Sequence, residues 1–219
     1  MGVSFNIRLF YLPFIACCLL LASCSTAYYG AMEKMGVHKR DILADRVVES
    51  REAQTEAQEQ FKSALEQFAA VVELKDTNLK KAYEKLNKEY EDSEQAAEEV
   101  SDRIDAVESV ADALFDEWQD ELELYESKEL RRSSKQQLSD TKSRYKEMLY
   151  AMHQAEKSMD PVLRTFRDNV LFLKHNLNAQ AIGSLKGEFS KLENQIDLLI
   201  GEMNQAIATS DKFIVDLKK

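Results

Sequence analysis

The stretch LKKAYEKLNKEYEDSEQAAEEVSDRIDAVESVADALFDEW, residues 79–118, decides the fold. Alternating steps of four and three from Leu79 meet Tyr83, Leu86, Tyr90, Ser93, Ala97, Val100, Ile104, Val107, Ala111, Leu114 and Trp118. Only Ser93 among these twelve positions is polar. A mean spacing of about 3.5 residues is the seam of a coiled coil, not the alternation of a strand. Forty helical residues span about 60 Å. Asp76, Thr77 and Asn78 precede the seam as N-cap candidates.

The same phase recurs on both sides. Upstream, 37–74 carries Leu43, Val47, Ala57, Phe61, Ala64, Phe68 and Val71, diluted by Ser50 and Gln54. Downstream, 127–177 carries Tyr145, Met148, Met152, Ala155, Met159, Val162, Phe166 and Leu173, interrupted at Asn169. The phase runs straight through Pro161, which predicts a helix kinked there; a restart with Asp160 as N-cap and Pro161 at N1 is the alternative. A fourth segment, 179–217, shows Leu185, Phe189, Leu192, Ile196, Leu199, Met203, Ala206 and Phe213, after a bend at 176–178.

The breaks near 75–78, 125–134 and 176–179 are short, so successive helices lie antiparallel and adjacent. The expected fold is all-α: an elongated antiparallel bundle of about four long coiled-coil-like helices, with a bent pair of helical hairpins as runner-up. Composition agrees. Six Gly and two Pro in 219 residues are too few for the turns of a barrel or sandwich, and 44% apolar residues are too many for disorder.

The net charge of −10 argues against nucleic acid as a partner. The charge is segregated. Residues 89–126 hold sixteen acids and one base, Arg103, while 127–146 hold seven bases and two acids. These stretches flank one turn, so a hairpin lays the acidic end of the second helix beside the basic start of the third. Surface pairs of this kind contribute only about 0.2–1 kcal/mol each, but they bias register and partner choice. A solvated face that keeps the chain soluble is the competing reading.

The first residues read as an address. Arg8 is followed by an apolar stretch, 9–22, of about 21 Å, short of a ~30 Å hydrocarbon core. Pro13 also disfavours a spanning helix, so a secretory signal is expected. Leu21-Ala22-Ser23-Cys24 resembles the bacterial lipobox. That resemblance implies cleavage before Cys24, a diacylglycerol thioether on its sulfur and acylation of the new amino terminus, as by palmitate. Ser25, where aspartate would signal retention at the inner membrane, implies the outer one. The domain reading is 1–23 signal peptide, 24–36 tether and 37–219 helical bundle. Cys17 and Cys18 fall in the signal and Cys24 would carry lipid. No thiol then remains for a disulfide, a nucleophile or a zinc site.

Little else points to chemistry. No phosphate-cradling glycine motif occurs, and none of His38, His153 and His175 has a Glu three residues before it, as di-iron bundles require. The acid pairs Glu94/Glu98 and Asp112/Asp116 are a weak option for a hard cation. His153 and His175 are general-base candidates without an obvious partner. Trp118 is expected to fill the core, with a ligand pocket as the other use; the methionines 148, 152 and 159 are expected there too, with binding of partner helices as theirs. The run Val170-Leu171-Phe172-Leu173 is either deeply buried or an interaction surface.

The blocks Tyr83-Glu84-Lys85-Leu86-Asn87, Arg103-Ile104-Asp105-Ala106-Val107-Glu108, Leu114-Phe115-Asp116-Glu117-Trp118, Met159-Asp160-Pro161-Val162-Leu163 and Phe172-Leu173-Lys174-His175-Asn176-Leu177-Asn178 resemble the DUF2959 family. The resemblance covers nearly all of the chain after the signal. It implies a bacterial protein, often a predicted lipoprotein, and brings no activity with it. The expected function is therefore a lipid-anchored scaffold or adaptor on the periplasmic face of the outer membrane. It is not an enzyme and has no cofactor, and its partners are the membrane and an unidentified protein. A binding module that opens its amphipathic helices to lipid or a hydrophobic ligand is the alternative.

Overall fold

The computed structural model describes residues 28, 29, 32, 35–73 and 78–218. Four long helices account for nearly all of them: α1 (Lys39–Val72), α2 (Leu79–Glu121), α3 (Lys128–His175) and α4 (Ala179–Leu217). A single 3-10 turn, Leu122–Leu124, extends α2, and no strand occurs among the described residues. The helices are about 51, 65, 72 and 59 Å long.

Each start is fixed locally. Asn78 caps α2 by accepting from the Lys81 N–H, Ser127 caps α3 through Leu130, and Asn178 caps α4 through Ala181. Asp76 and Thr77, the other cap candidates, lie outside the described residues. The break between α2 and α3 is shorter than 125–134, because α3 is already helical at Lys128.

The helices form a closed ring in which α1 packs on α2 and α4, and α3 packs on α2 and α4. Gln58 donates to Asn204 Oδ1 at 3.0 Å and Arg51 pairs with Asp211 at 2.8 Å, which sets the α1–α4 register. Contacts between these helices reach from Arg40, which donates to the Leu217 carbonyl, to Phe68, stacked on Phe189 at 6.0 Å. The two hairpins therefore stay together along their length, so the bundle holds rather than the bent pair. Across the diagonal, Phe68 meets Phe166 edge-on at 6.3 Å and Ser50 Oγ approaches Met152 Sδ at 4.0 Å.

The seams lie where the period places them. Leu43, Val47, Ala57, Phe61, Ala64 and Phe68 of α1 are buried, and so are Met148, Met152, Ala155, Met159, Val162, Phe166 and Leu173 of α3. The polar residues that interrupt the seams keep the phase: Ser50, Gln54, Ser93, Asn169 and Ser210 are buried too. Three of them satisfy themselves on their own helix. Ser93 donates to the Glu89 carbonyl, Asn169 to Thr165 and Ser210 to Ala206. Gln54 reaches Ser50 Oγ only at 3.5 Å, and its Oε1 has no partner.

α3 is one helix through Pro161, with no restart at Asp160. Proline removes the bond to the Lys157 carbonyl. Lys157 is exposed, so water can reach the freed carbonyl, while Met159 and Val162 on either side of the proline stay in the core.

The chain before α1 is not a free strand. Tyr28, Tyr29 and Met32 are helical. Tyr29 is buried in the core cluster, and Met32 packs against it. The Met35 and Val37 N–H groups both bond the Met32 carbonyl at 3.0 Å. Gly36 then turns the chain into α1 at φ +84°, a conformation that side chains with a Cβ rarely adopt.

Candidate functional site

Cys24, the one site residue named from sequence, lies outside the described residues. Ahead of α1 the described residues begin at Tyr28. The Tyr29 hydroxyl lies 3.1 Å from Ser109 Oγ on α2, and Tyr28 lies against the Arg46 guanidinium on α1. Part of the expected tether is thus seated in the α1–α2 groove.

The acidic band and the basic stretch are brought side by side, but they pair little. Among the described residues, the ion pair that joins them is Arg131 with Glu123. Lys142 sits over the Phe115 ring at 5.4 Å, and Arg144 turns to Asp216 of α4 at 3.9 Å. Arg103, the lone base of the band, pairs with Glu99 and with Glu49 of α1. The α2–α3 contact is instead filled by Phe115 against Tyr145 and by the Trp118 indole N–H donating to Ser134 Oγ at 2.8 Å. Trp118 is half-buried against the core, and the three methionines lie within it.

His153 has partners the sequence did not suggest. Its Nδ1 is 2.9 Å from Glu156 Oε2, one turn along α3, and its Nε2 is 2.8 Å from Glu108 Oε1 on α2. Ser101 of α2 donates to the other Glu156 oxygen at 2.6 Å. Burial lowers the imidazole pKa, but the hydrogen bonds and charges of Glu156 and Glu108 outweigh it and leave the pKa raised. The His-x-x-Glu spacing at 153–156 was a readable signal, since such residues share a helix face. Glu108 became a neighbour only through the fold. The arrangement clasps α2 to α3. With both ring nitrogens held by carboxylates, no lone pair is left to take a substrate proton, and the hydroxyl of Ser101 meets the acid rather than the base.

The other candidates are dispersed. Glu94, Glu98, Asp112 and Asp116 all face solvent, with Glu94 accepting from the Tyr90 hydroxyl. Among the described residues, no three His, Cys, Asp or Glu side chains gather as a metal ion requires. His175 is exposed in the last turn of α3 beside Lys174, where cations suit the helix dipole. The run at 170–173 divides: Val170 and Leu173 enter the core, while Leu171 and Phe172 face outward. Phe172 borders an open cleft of about 390 Å³ between α3 and α4, shared with Thr165, Asn169, Leu185 and Lys191.

The described helices thus make this an all-α protein with an antiparallel four-helix body. The family model described as "Protein of unknown function (DUF2959)" matches residues 28–217, and the chain belongs to that family. No curated protein matches it.

Proposed function

We propose that this is a lipid-anchored helical-bundle protein of the bacterial cell envelope. It is held on the periplasmic face of the outer membrane, where it acts as a scaffold or adaptor. The observation that carries the reading is Leu21-Ala22-Ser23-Cys24 at the end of a short apolar segment. Cleavage there leaves Cys24 as the new amino terminus, bearing a diacylglycerol thioether and an amide-linked palmitate. More than one chain is needed for a stable hold on a bilayer, and this anchor supplies three. The long, closed body supports a structural role over a catalytic one, as does a histidine whose ring nitrogens both serve a helix contact.

Mass spectrometry of the Cys24 peptide and membrane fractionation test the anchor. The wild type should be acylated and sediment with outer membrane, and Cys24→Ala should be neither. Outer-membrane fractionation with retained acylation in Cys24→Ala sinks the reading. Crosslinking in the periplasm then tests the scaffold role by the partner it captures.

A second reading, a binding module for lipid or a hydrophobic ligand, is favoured by the open α3–α4 cleft and the outward Phe172 beside it. Native mass spectrometry of the purified body separates the two: a retained lipid favours the module, and an unliganded body with a sharp cooperative melt favours the scaffold.

A further inference from the structure

We propose that the end of the bundle formed by the turn before α1, the α2–α3 connection and the first turn of α3 seats in the headgroup layer of the bilayer that anchors Cys24. The proposal rests on the lipid-anchor reading above. Two observations carry it, one of length and one of surface chemistry.

The length argument starts at Tyr29, whose hydroxyl meets Ser109. Five Cα-to-Cα steps lead from Cys24 to Tyr29 and span at most about 18 Å when fully extended. Ser109 lies twelve residues before Glu121, the last residue of α2, which is about 18 Å along the helix. The two lengths match. An acylated Cys24 reaches no further than the end of the bundle, so the bilayer surface cannot stand off from that end. Docking of Tyr29 has used up the slack that thirteen tether residues would otherwise give.

The surface of that end suits a bilayer interface. Met35 is 70% exposed, Leu124 79%, Tyr125 40% and Leu130 58%. Large apolar side chains left open to this degree mark an interaction surface when they gather, and a tyrosine with a wet hydroxyl suits the headgroup level. Lys128 and Arg132 flank them and can reach lipid phosphates, while Arg131 is engaged by Glu123. Asp120, Glu121, Glu123, Glu126 and Glu129 share the same end. This mixed charge keeps the insertion shallow, with apolar contact rather than net charge providing the hold.

The test uses the full acylated protein in vesicles of phosphatidylethanolamine and phosphatidylglycerol. A nitroxide is placed through Glu126→Cys or, at the opposite end, through Asn176→Cys. Lipid on the Cys24 peptide is verified by mass in each sample. The expected result is a several-fold loss of collisional access to a water-soluble nickel chelate at 126 relative to 176. A paired Leu124→Glu, Leu130→Glu variant should restore that access while the protein stays vesicle-bound. Both leucines are exposed, so the fold is retained. Equal access at 126 and 176 with Cys24 acylated overturns the seated end and leaves the anchor standing. Shielding at 126 in native envelope membranes but not in lipid vesicles also overturns it, because a protein then covers the end. A Cys24 peptide without lipid overturns both.

Discussion

The Nε2 of His153 on α3 lies 2.8 Å from the Glu108 carboxylate on α2, while its Nδ1 lies 2.9 Å from Glu156. The imidazolium is the only form that can donate to both carboxylates at once. The helix contact is therefore tied to the charge on one ring.

Stability should consequently fall as pH rises through the neutral range. The folded pKa of His153 is raised. Its contribution is then fully present below the unfolded value of about 6.5 and is lost as pH passes the folded value. The side chain is 41% exposed, so screening limits the gain to about 0.5–1 kcal/mol. Urea unfolding of wild type and His153→Gln at acidic and alkaline pH should show a gap that narrows at the alkaline end. A pH-independent gap would rule the clasp out.

Gln54 sits wholly inside the core with an amide oxygen that has no partner. The α1–α4 register sets it level with the stretch between Ala206 and Ser210, and the Ser50–Met152 approach sets it near the level of Ala155. Small residues there leave room for a long side chain. Gln54→Leu keeps the volume and removes the stranded acceptor, so it should raise stability by about 1–2 kcal/mol, read as a higher Tm. The same change should loosen the choice of register, since a polar residue in a seam penalises misaligned packings. A lower Tm would mean that the amide has a partner in solution.

Phe68 touches helices on two sides, with Phe166 edge-on and Phe189 stacked. Phe68→Ala should cost about 3–5 kcal/mol, measured by chemical denaturation. A loss below about 1 kcal/mol would show that the end near Asn176 does not pack as a unit.

Tyr29→Phe removes the hydroxyl that meets Ser109 and keeps the ring. The expected cost is about 0.5–1.5 kcal/mol. It should appear first as faster proteolysis between residues 30 and 38, before any loss of helix by circular dichroism. Unchanged cleavage would mean that the ring alone seats the segment.

The heptad phase made most of this fold readable, and its limits have a physical cause. A coiled-coil seam uses two positions in seven, but each helix here must cover two neighbours. The buried stripe of α2 is accordingly wider, taking in Ala82, Val110 and Phe115 beside Leu86, Ile104 and Val107. Ser50 and Gln54 looked like faults in the α1 pattern and proved to be in register, because periodicity reports position rather than polarity. Charge placed the hairpin but not its pairs. The acidic and basic stretches lie side by side, yet Lys142 and Arg144 turn to Phe115 and Asp216, closer to the solvated-face reading than to paired bands. Long side chains choose among several neighbours, and sequence proximity to a turn names only some of them. Glu108 and Ser109, which hold His153 and Tyr29, were unreadable for the same reason: their partners come from other segments.

The seating of Tyr29 in the α1–α2 groove also gives the molecule a mechanical character. Tension applied to the residues before Tyr28 first meets a short docked segment, held by one buried tyrosine and followed by a glycine turn, rather than the long helix α1. Yielding there pays out the ten residues 29–38, about 30 Å of chain, before any load reaches α1. So arranged, the segment should act as a fuse in series with a stiff rod, letting the connection lengthen under a modest pull while the four helices stay folded.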